Sequence, residues 1–294
     1  MSSQSPANRR RPLARRGLKQ EGLLGWQIVA YLFMAFFTVL TVGPLVWLIY
    51  SSFKPHPDIV RNMFAFPTSF YLDNYARAWD LGNLGVLILN SIFYASIATA
   101  VTVYLALAAG YGFAKFGFKI SNIFYVFFIM GLLVTAHSVL VPLFVMETRL
   151  GIDDTRLGVL IPYIGFGLPF MIYLATSYIK GIPDSMEEAA IIDGAGYLQV
   201  FWMIMRPLSA PVVATMLIFA FLSNWNEFVF VFVLTSREEI RSLPVGVNAF
   251  VGGLSRDFGL LFAALVIATI PMIIFYIVFR EQLARGFAAG AVKE

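Results

Sequence analysis

Six long apolar runs, almost free of charged side chains, recur along this 294-residue chain. They cover residues 26–50, 86–110, 122–146, 157–179, 210–234 and 258–279. At about 1.5 Å per helical residue, each run can cross a hydrocarbon core of roughly 30 Å. Because the runs are continuous rather than alternating, they indicate helices and not the strands of a barrel. We therefore predict an all-α polytopic membrane protein with six transmembrane helices.

The remaining segments are too short for a soluble domain, the longest being residues 51–85. We divide the chain into a basic tail, residues 1–25, and a six-helix membrane domain, residues 26–294. With six spans, 13 of the 21 Lys and Arg residues lie on the side that holds both termini. The positive-inside rule then predicts that both termini lie in the cytoplasm. The protein is expected to be multi-pass, with its spans in contact with membrane lipid.

Several classes of function are excluded by what the sequence lacks. It has no cysteine, two histidines and no G-x-x-x-x-G-K-[ST] phosphate loop. We therefore predict no catalytic residues, no metal site and no cofactor in this chain. The net charge of +4 is smaller than the charge of the tail, so the rest of the chain offers no basic surface for nucleic acid.

Residues 180–209 are predicted to form a helix, a turn and a second helix on the cytoplasmic side. Ser185 and Glu188 have the spacing of a capping box, as do Asp184 and Glu187, so a helix should run from residue 185 to 193. Gly194 suits the left-handed position that ends a helix. Ala189 and Ala190 would let another backbone approach closely. This segment is either a helix lying at the headgroups or a docking element for a cytoplasmic partner.

The fifth apolar run contains Glu227, the one charged residue in the six runs. Ser223 and Asn224 precede it by four and three residues, so the three side chains should share one helix face. A carboxylate facing lipid costs about 2.5–3.5 kcal/mol, so this face should turn toward water, a cavity or another subunit. Both interface hydrogen bonding and lining of a substrate pathway fit this pattern. Trp225, Tyr94 and Tyr163 are candidates for stacking on a solute.

Helix-breaking residues cluster in the fourth apolar run, at Pro162, Gly165, Gly167 and Pro169. We expect them to interrupt regular helix hydrogen bonding. Such interruptions occur where protein or water covers the freed backbone groups. The fourth helix should then lie near a cavity or subunit interface, or be kinked and packed against its neighbours.

The cytoplasmic segment resembles the EAA loop, E-A-A-x3-G-x9-I-x-L-P, of ABC-importer permeases. The matching residues are Glu188, Ala189, Ala190, Gly194, Ile204 and Pro207, with Arg206 in place of the usual Leu. Further stretches look like the sugar-type group, and in particular the second permease of maltose-type importers. These are Asn74-Tyr75, Gly110 to Phe116, Trp225 to Phe228, and Gly290 to Lys293.

This resemblance implies the type I importer fold in a bacterial inner membrane. It implies a second permease, two ATPase subunits that bind ATP and magnesium, and an external binding protein that delivers a sugar or sugar derivative. The joint to the ATPase is then predicted at Glu187, Glu188, Ala189, Ala190, Asp193 and Gly194. Ser223, Asn224, Trp225 and Glu227 are the candidates for the substrate pathway or a subunit interface.

Two alternatives remain at this point. The EAA loop indicates coupling and not cargo, so the solute could instead be a glycerol phosphodiester or a peptide. An ion-coupled secondary transporter is the alternative from another class. It would need no ATPase-docking loop and would usually embed more ionisable residues.

Overall fold

A computed structural model describes residues 14–117, 120–252 and 257–291, with side chains from 26 to 250 and 257 to 282 of those ranges. The predicted basic tail therefore lies largely outside the described residues. All regular structure in the described part is helical, which confirms the predicted class. The α-helices are α1 Ala14–Ser51, α2 His56–Arg61, α3 Asp73–Leu81, α4 Leu84–Lys115, α5 Ser121–Met130, α6 Ala136–Leu150, α7 Arg156–Ile179, α8 Ser185–Ile192, α9 Tyr197–Val200, α10 Arg206–Leu208, α11 Ala210–Asn226, α12 Val229–Leu234, α13 Leu243–Gly252 and α14 Phe258–Ala291.

The described helices can provide six membrane spans, but two of the six are bent pairs. Four stretches are long and apolar enough on their own, namely Trp26–Ser51, Leu84–Lys115, Arg156–Ile179 and Phe258–Gln282. The third span is bent by 102° between Ser121–Leu133 and Ala136–Leu150. The bend arises because Val134 and Thr135 have extended backbone angles that no helix can continue.

The fifth span differs from the single helix expected over residues 210–234. Helix α11 ends at Asn226, Glu227 is extended, and the short helix α12 begins at Val229. Before α11, the helical stretch Tyr197–Leu208 meets it at 76°. The second helix predicted for residues 180–209 therefore does lead into the fifth span, through a sharp bend at Ser209.

Helices α4 and α7 run parallel and in close contact over most of their length. A Cβ added at Gly110 of α4 would lie 2.6 Å from the Cβ of Ala175, and one added at Gly167 of α7 would lie 3.1 Å from the Thr102 methyl carbon. Small residues at such crossings let two helix backbones approach. This contact places the first half of α4 beside the first half of α7, and the ends of both helices together.

The fourth span is not broken into two helices, although Pro162 and Pro169 lack the N–H groups that would complete its hydrogen-bond ladder. Helix α7 is continuous from Arg156 to Ile179, with Pro162 and Pro169 inside it and both buried. Pro169 lies against Gly131, where an added Cβ would be 2.8 Å from its ring. Pro162, Gly167 and Pro169 therefore pack against neighbours, which was the second of the two predicted explanations, whereas Gly165 is exposed and an added Cβ there would contact nothing within 4 Å.

We call the end of the bundle that carries residues 180–209 the loop end, and the opposite end the far end. At the far end, α4 is hydrogen-bonded to the segment before α13. The Asn90 amide donates to the carbonyl oxygens of Glu239 and Arg241, and the Tyr94 hydroxyl donates to that of Ile240. Helix α1 lies apart, contacting α14 through Trp47 and Phe262, whose ring centroids are 5.1 Å apart.

Candidate coupling loop and polar residues of the fifth span

The short helix α8 begins where the sequence predicts, at Ser185, and ends one residue early, at Ile192. The predicted capping boxes do not form, since no side chain caps its N-terminus. The backbone carbonyl of Asp184 accepts from the N–H groups of Glu187 and Glu188 instead. The Asp184 backbone is already helical, so its side chain is not placed to return to the first turn.

Gly194 has the left-handed conformation that the sequence predicts, with φ of +88°. The N–H of Gly194 donates to the carbonyl of Ile191, and that of Ala195 donates to the carbonyl of Ala190. These bonds satisfy backbone acceptors at the end of α8 and turn the chain toward the next helix.

The two adjacent glutamates of α8 differ in burial. Glu187 is buried, and its Oε1 accepts a hydrogen bond of 2.8 Å from the hydroxyl of Tyr111 near the end of α4. Glu188 is exposed, and its carboxylate makes no hydrogen bond or ion pair with a described residue. Of these two adjacent glutamates, both predicted to lie at the ATPase joint, only Glu188 has a carboxylate that is free to contact a partner.

A second contact holds the segment before α8 to the same end of α4. The Lys115 side chain is 3% exposed, and its ammonium donates to the carbonyl oxygen of Ile182 at 2.6 Å and forms an ion pair with the carboxylate of Asp184. A buried ammonium needs such oxygen partners to offset the loss of its hydration. Tyr111 and Lys115, four residues apart, therefore hold the loop from the same side of α4.

The outward face of the loop is apolar. Met186, Ile191, Ile192, Leu198 and Met203 are 41 to 84% exposed. Ala189 is exposed among them, whereas Ala190 is half-buried against the chain itself, so the two alanines do not both face a partner. Asp193 is exposed. An exposed surface that combines apolar, small and acidic residues is suited to a protein partner.

Past the turn, the second helix of the loop is irregular. It runs from α9 through a π-helical turn, Phe201–Met205, into α10. Val200, Phe201 and Met205 are buried beside Tyr111 and Ile179, so this helix packs on the ends of α4 and α7. Arg206, which departs from the expected Leu, lies 5.2 Å over the ring of Trp202 and so stacks within its own helix.

Glu227 caps a helix inside the fifth span. Its Oε1 accepts a hydrogen bond of 2.9 Å from the backbone N–H of Phe230, in the first turn of α12. A carboxylate in this position also complements the helix dipole. Its Oε2 and the nearby Tyr163 hydroxyl are both buried, and neither of these two atoms has a hydrogen-bond partner among the described residues.

The shared helix face predicted for Ser223, Asn224 and Glu227 is wrong, because α11 ends at Asn226 and Glu227 is extended. Ser223 is exposed. The Asn224 amide donates to the Thr99 hydroxyl of α4 at 3.2 Å. Trp225 is buried and stacked on Phe221, with centroids 5.9 Å apart, so it is part of the core.

The aromatic stacking candidates are also engaged inside the chain. Tyr94 is 1% exposed and donates to the carbonyl of Ile240, and Tyr163 is 3% exposed. Neither ring offers a free face to a sugar in this conformation. Among the described residues there is also no cluster of His, Asp and Glu that could hold a metal ion.

Sequence reasoning did not assign a role to Tyr111, Lys115 or Glu147. Tyr111 and Lys115 lie in the stretch Gly110 to Phe116 that resembles the permease family, and only this resemblance indicated that they could be important. Glu147 is fully buried at the end of α6, and neither carboxylate oxygen has a hydrogen bond to a described residue. Glu147 is the one buried residue of α6. Its burial therefore follows from tertiary packing, and nothing in the local sequence indicates it.

Two proteins of similar sequence match nearly the whole chain. "Probable ABC transporter permease protein YurM" of Bacillus subtilis is 33% identical over 90% of this chain and 87% of its own length. "Diacetylchitobiose uptake system permease protein NgcG" of Streptomyces coelicolor is 30% identical over 90% of this chain and 88% of its own length. Relatives of this kind are permease proteins, and the chain is a permease component rather than an enzyme.

A solved structure shares the fold. It is a chain of a bacterial ABC transporter involved in the import of the acidic polysaccharide alginate. The two chains superpose with a TM-score of 0.78 over 87% of this chain and 95% of the other, at 24% identity. This similarity confirms the importer permease fold that the sequence predicts.

The family model matches residues 103–288, which include α7, residues 180–209 and the fifth span. The EAA-like segment lies inside this match. The chain therefore belongs to the family of inner membrane components of binding-protein-dependent transport systems.

Proposed function

We propose that this chain is one of two permeases of an ATP-driven importer that takes up a sugar or sugar derivative. A second permease completes the translocation pathway, and an external binding protein delivers the solute. Two ATPase subunits bind ATP and magnesium, and this chain contributes no cofactor. The relative named for diacetylchitobiose uptake supports a saccharide as cargo.

The observation that carries this proposal is the arrangement of α8. Its inner face is bonded to the rest of the chain through Glu187, while Glu188, Ala189 and the apolar side chains of its outer face are exposed. The outer face would fit a groove on an ATPase subunit, with Glu188 forming a charge-assisted hydrogen bond there. Closure of the ATPase dimer would then displace α8 and switch the attached spans between outward and inward openings.

In this arrangement the loop end is cytoplasmic, together with both chain termini. Cysteines introduced singly at residues 3 and 292, which lie outside the described residues, should resist a membrane-impermeant thiol reagent in intact cells. A cysteine at exposed Ser236 of the far end should be labelled. Labelling at either terminus would contradict the proposed orientation.

The function is tested by purification and reconstitution. The tagged chain is expressed with the genes beside its own, purified in detergent and reconstituted with the binding protein. We expect an ATPase to copurify, and a sugar-loaded binding protein to stimulate hydrolysis and uptake. A chain that purifies without an ATPase and takes up solute with an ion gradient would be a secondary transporter. Stimulation only by a non-sugar solute would retain the ATPase coupling and reject the sugar.

A further inference from the structure

Helix α4 is hydrogen-bonded to a loop at each of its two ends. At the loop end, Tyr111 and Lys115 bond to Glu187 and to the residues just before α8. At the far end, Asn90, Ser91 and Tyr94 bond to the segment from Glu239 to Leu243. The two segments are more than 40 residues apart in sequence and lie at opposite ends of the molecule.

We infer that α4 transmits displacement of α8 to the 239–243 segment, and that Tyr111 and Lys115 are the positioning residues that join α8 to it. This inference rests on the proposed function, because it assumes that an ATPase displaces α8. It assigns a role to two side chains that would otherwise be unexplained. In this inference α4, which lies outside residues 180–209, is the element that moves.

The loop-end contact is suited to transmit force. Tyr111 is 4% exposed and Glu187 is 8% exposed, so their hydrogen bond is shielded from water and stronger than a surface bond. The ion pair and the carbonyl contact of Lys115 add a second attachment, one helical turn further along. Two attachment points prevent α8 from pivoting about a single bond.

Helix α4 is itself suited to act as a rigid element. It is 32 residues long, or roughly 48 Å at 1.5 Å per residue, and has no proline in its interior. The helices α1, α6, α7 and α14 each contain an interior proline, which weakens the hydrogen-bond ladder. A displacement at one end of α4 is therefore carried to the other end with little bending.

At the far end, a displacement of α4 would move residues 239–243, which are hydrogen-bonded to it. Three successive carbonyl oxygens, of residues 239, 240 and 241, accept hydrogen bonds from Asn90 and Tyr94 at 2.7 to 3.0 Å. The N–H of Leu243 donates to the Ser91 hydroxyl at 2.7 Å. Because the bonds are to backbone atoms, this segment must follow α4 whatever its own side chains contact.

The test places a fluorescent probe at the far end and a defect at the loop end. The chain has no cysteine, so Ser236→Cys gives a single site in this subunit, which is labelled from outside the cell with an environment-sensitive dye. In the reconstituted complex, ATP with vanadate should change the probe emission. In the Tyr111→Phe, Lys115→Met double variant, the amplitude of this change should fall by about fivefold or more, while the ATPase stays bound.

Matched variants separate the proposed link from general damage. Tyr197→Phe removes a phenolic hydroxyl from the same loop, one that makes no hydrogen bond to a described residue, and should keep the parental response. Lys115→Arg keeps the charge and should restore most of the response in the Tyr111-containing chain. Tyr94→Phe, which breaks a far-end bond, should reduce the probe response while the loop end remains intact.

The outcomes decide between the inference and the proposed function. A double variant that retains its ATPase and gives the full parental response overturns the inference, as does a parental complex that hydrolyses ATP without any probe response. If the double variant loses its ATPase, the single Tyr111→Phe and Tyr94→Phe variants are measured instead. A full parental probe response in both of them, with the ATPase bound, overturns the inference. A parental chain that never binds an ATPase would contradict the proposed function itself.

Discussion

The carboxylate of Asp154 is hydrogen-bonded to Arg237 at the far end, where residues 235–242 connect α12 to α13. Its Oδ1 accepts from the backbone N–H groups of Ser236 and Arg237 at 2.8 and 3.0 Å, and its Oδ2 accepts from the Arg237 Nε at 3.1 Å. The Arg237 guanidinium also donates to the backbone carbonyl of Asp154. This contact joins the α6–α7 loop to the loop after α12.

The first prediction concerns the pH dependence of this contact. The Arg237 backbone N–H, together with the Ser236 N–H and the Arg237 charge, lowers the pKa of Asp154 below its usual value of 3.8. Because the folded-state pKa is lowered, the ionised carboxylate stabilises the loop at any pH above the usual value of 3.8. This contribution is lost as the pH falls through the folded-state pKa. Asp154→Asn keeps an acceptor and the left-handed backbone but removes the charge.

We therefore expect hydrogen exchange of residues 235–242 to rise in Asp154→Asn at neutral pH, and more in Asp154→Ala. The parental chain should show the same increase only under acid conditions, below about pH 4. Equal protection in all three chains across this range would show that the carboxylate does not hold the loop.

The second prediction concerns Gly194. Its φ of +88° is costly for any residue with a Cβ, although an added Cβ would contact nothing within 4 Å. Gly194→Val should therefore destabilise the turn by about 1–2 kcal/mol through backbone strain alone, and Gly194→Asn by less. Copurification of the ATPase and the ratio of uptake to hydrolysis measure the effect. Parental values for Gly194→Val would mean that the turn does not position α8.

The third prediction separates the two alanines of α8. Ala189 is exposed and Ala190 is half-buried against its own chain. Ala189→Trp should prevent ATPase binding without lowering the melting temperature of the isolated chain. Ala190→Trp should lower the melting temperature as well, because overpacking a filled site costs about 1–3 kcal/mol. The reverse pattern would place the docking face on the other side of α8.

The fourth prediction concerns Glu227 as a cap. Glu227→Gln keeps an oxygen acceptor for the Phe230 N–H, whereas Glu227→Leu removes it. The Leu variant should cost about 0.5–2 kcal/mol of stability and the Gln variant less. Thermal unfolding in detergent and uptake by the complex are both measured. If Leu and Gln are equally stable but both abolish uptake, the carboxylate serves transport rather than helix capping.

The fifth prediction concerns Glu147, whose buried carboxylate has no hydrogen bond to a described residue. Replacing an unpaired buried polar group by an apolar one of similar shape removes its desolvation cost. Glu147→Met should therefore stabilise the isolated chain by about 1–3 kcal/mol, and Glu147→Gln by less. A lower melting temperature for Glu147→Met would show that the carboxylate has a partner in the folded protein.

The short-range features of this protein could be predicted from the sequence. The apolar runs predict the spans because a helix satisfies its own backbone hydrogen bonds, and this depends only on local residues. The left-handed turn at Gly194 and the start of α8 at Ser185 are also local. The break of the fifth span at Glu227 was not predicted, because the surrounding residues are all compatible with a continuous helix.

The sequence alone was sufficient to predict the apolar spans, the helix-turn-helix of residues 180–209 and the family. The tertiary structure decided which side chains of that loop are free. Glu187 and Glu188 are chemically identical neighbours, and only the packing of α8 on α4 buries one against Tyr111 and exposes the other. That contact joins residues 76 positions apart, so no local pattern could indicate it. Likewise, Asn224 and Trp225 are engaged by α4 and the core because helix rotation is set by packing between helices and not by the residues of one span.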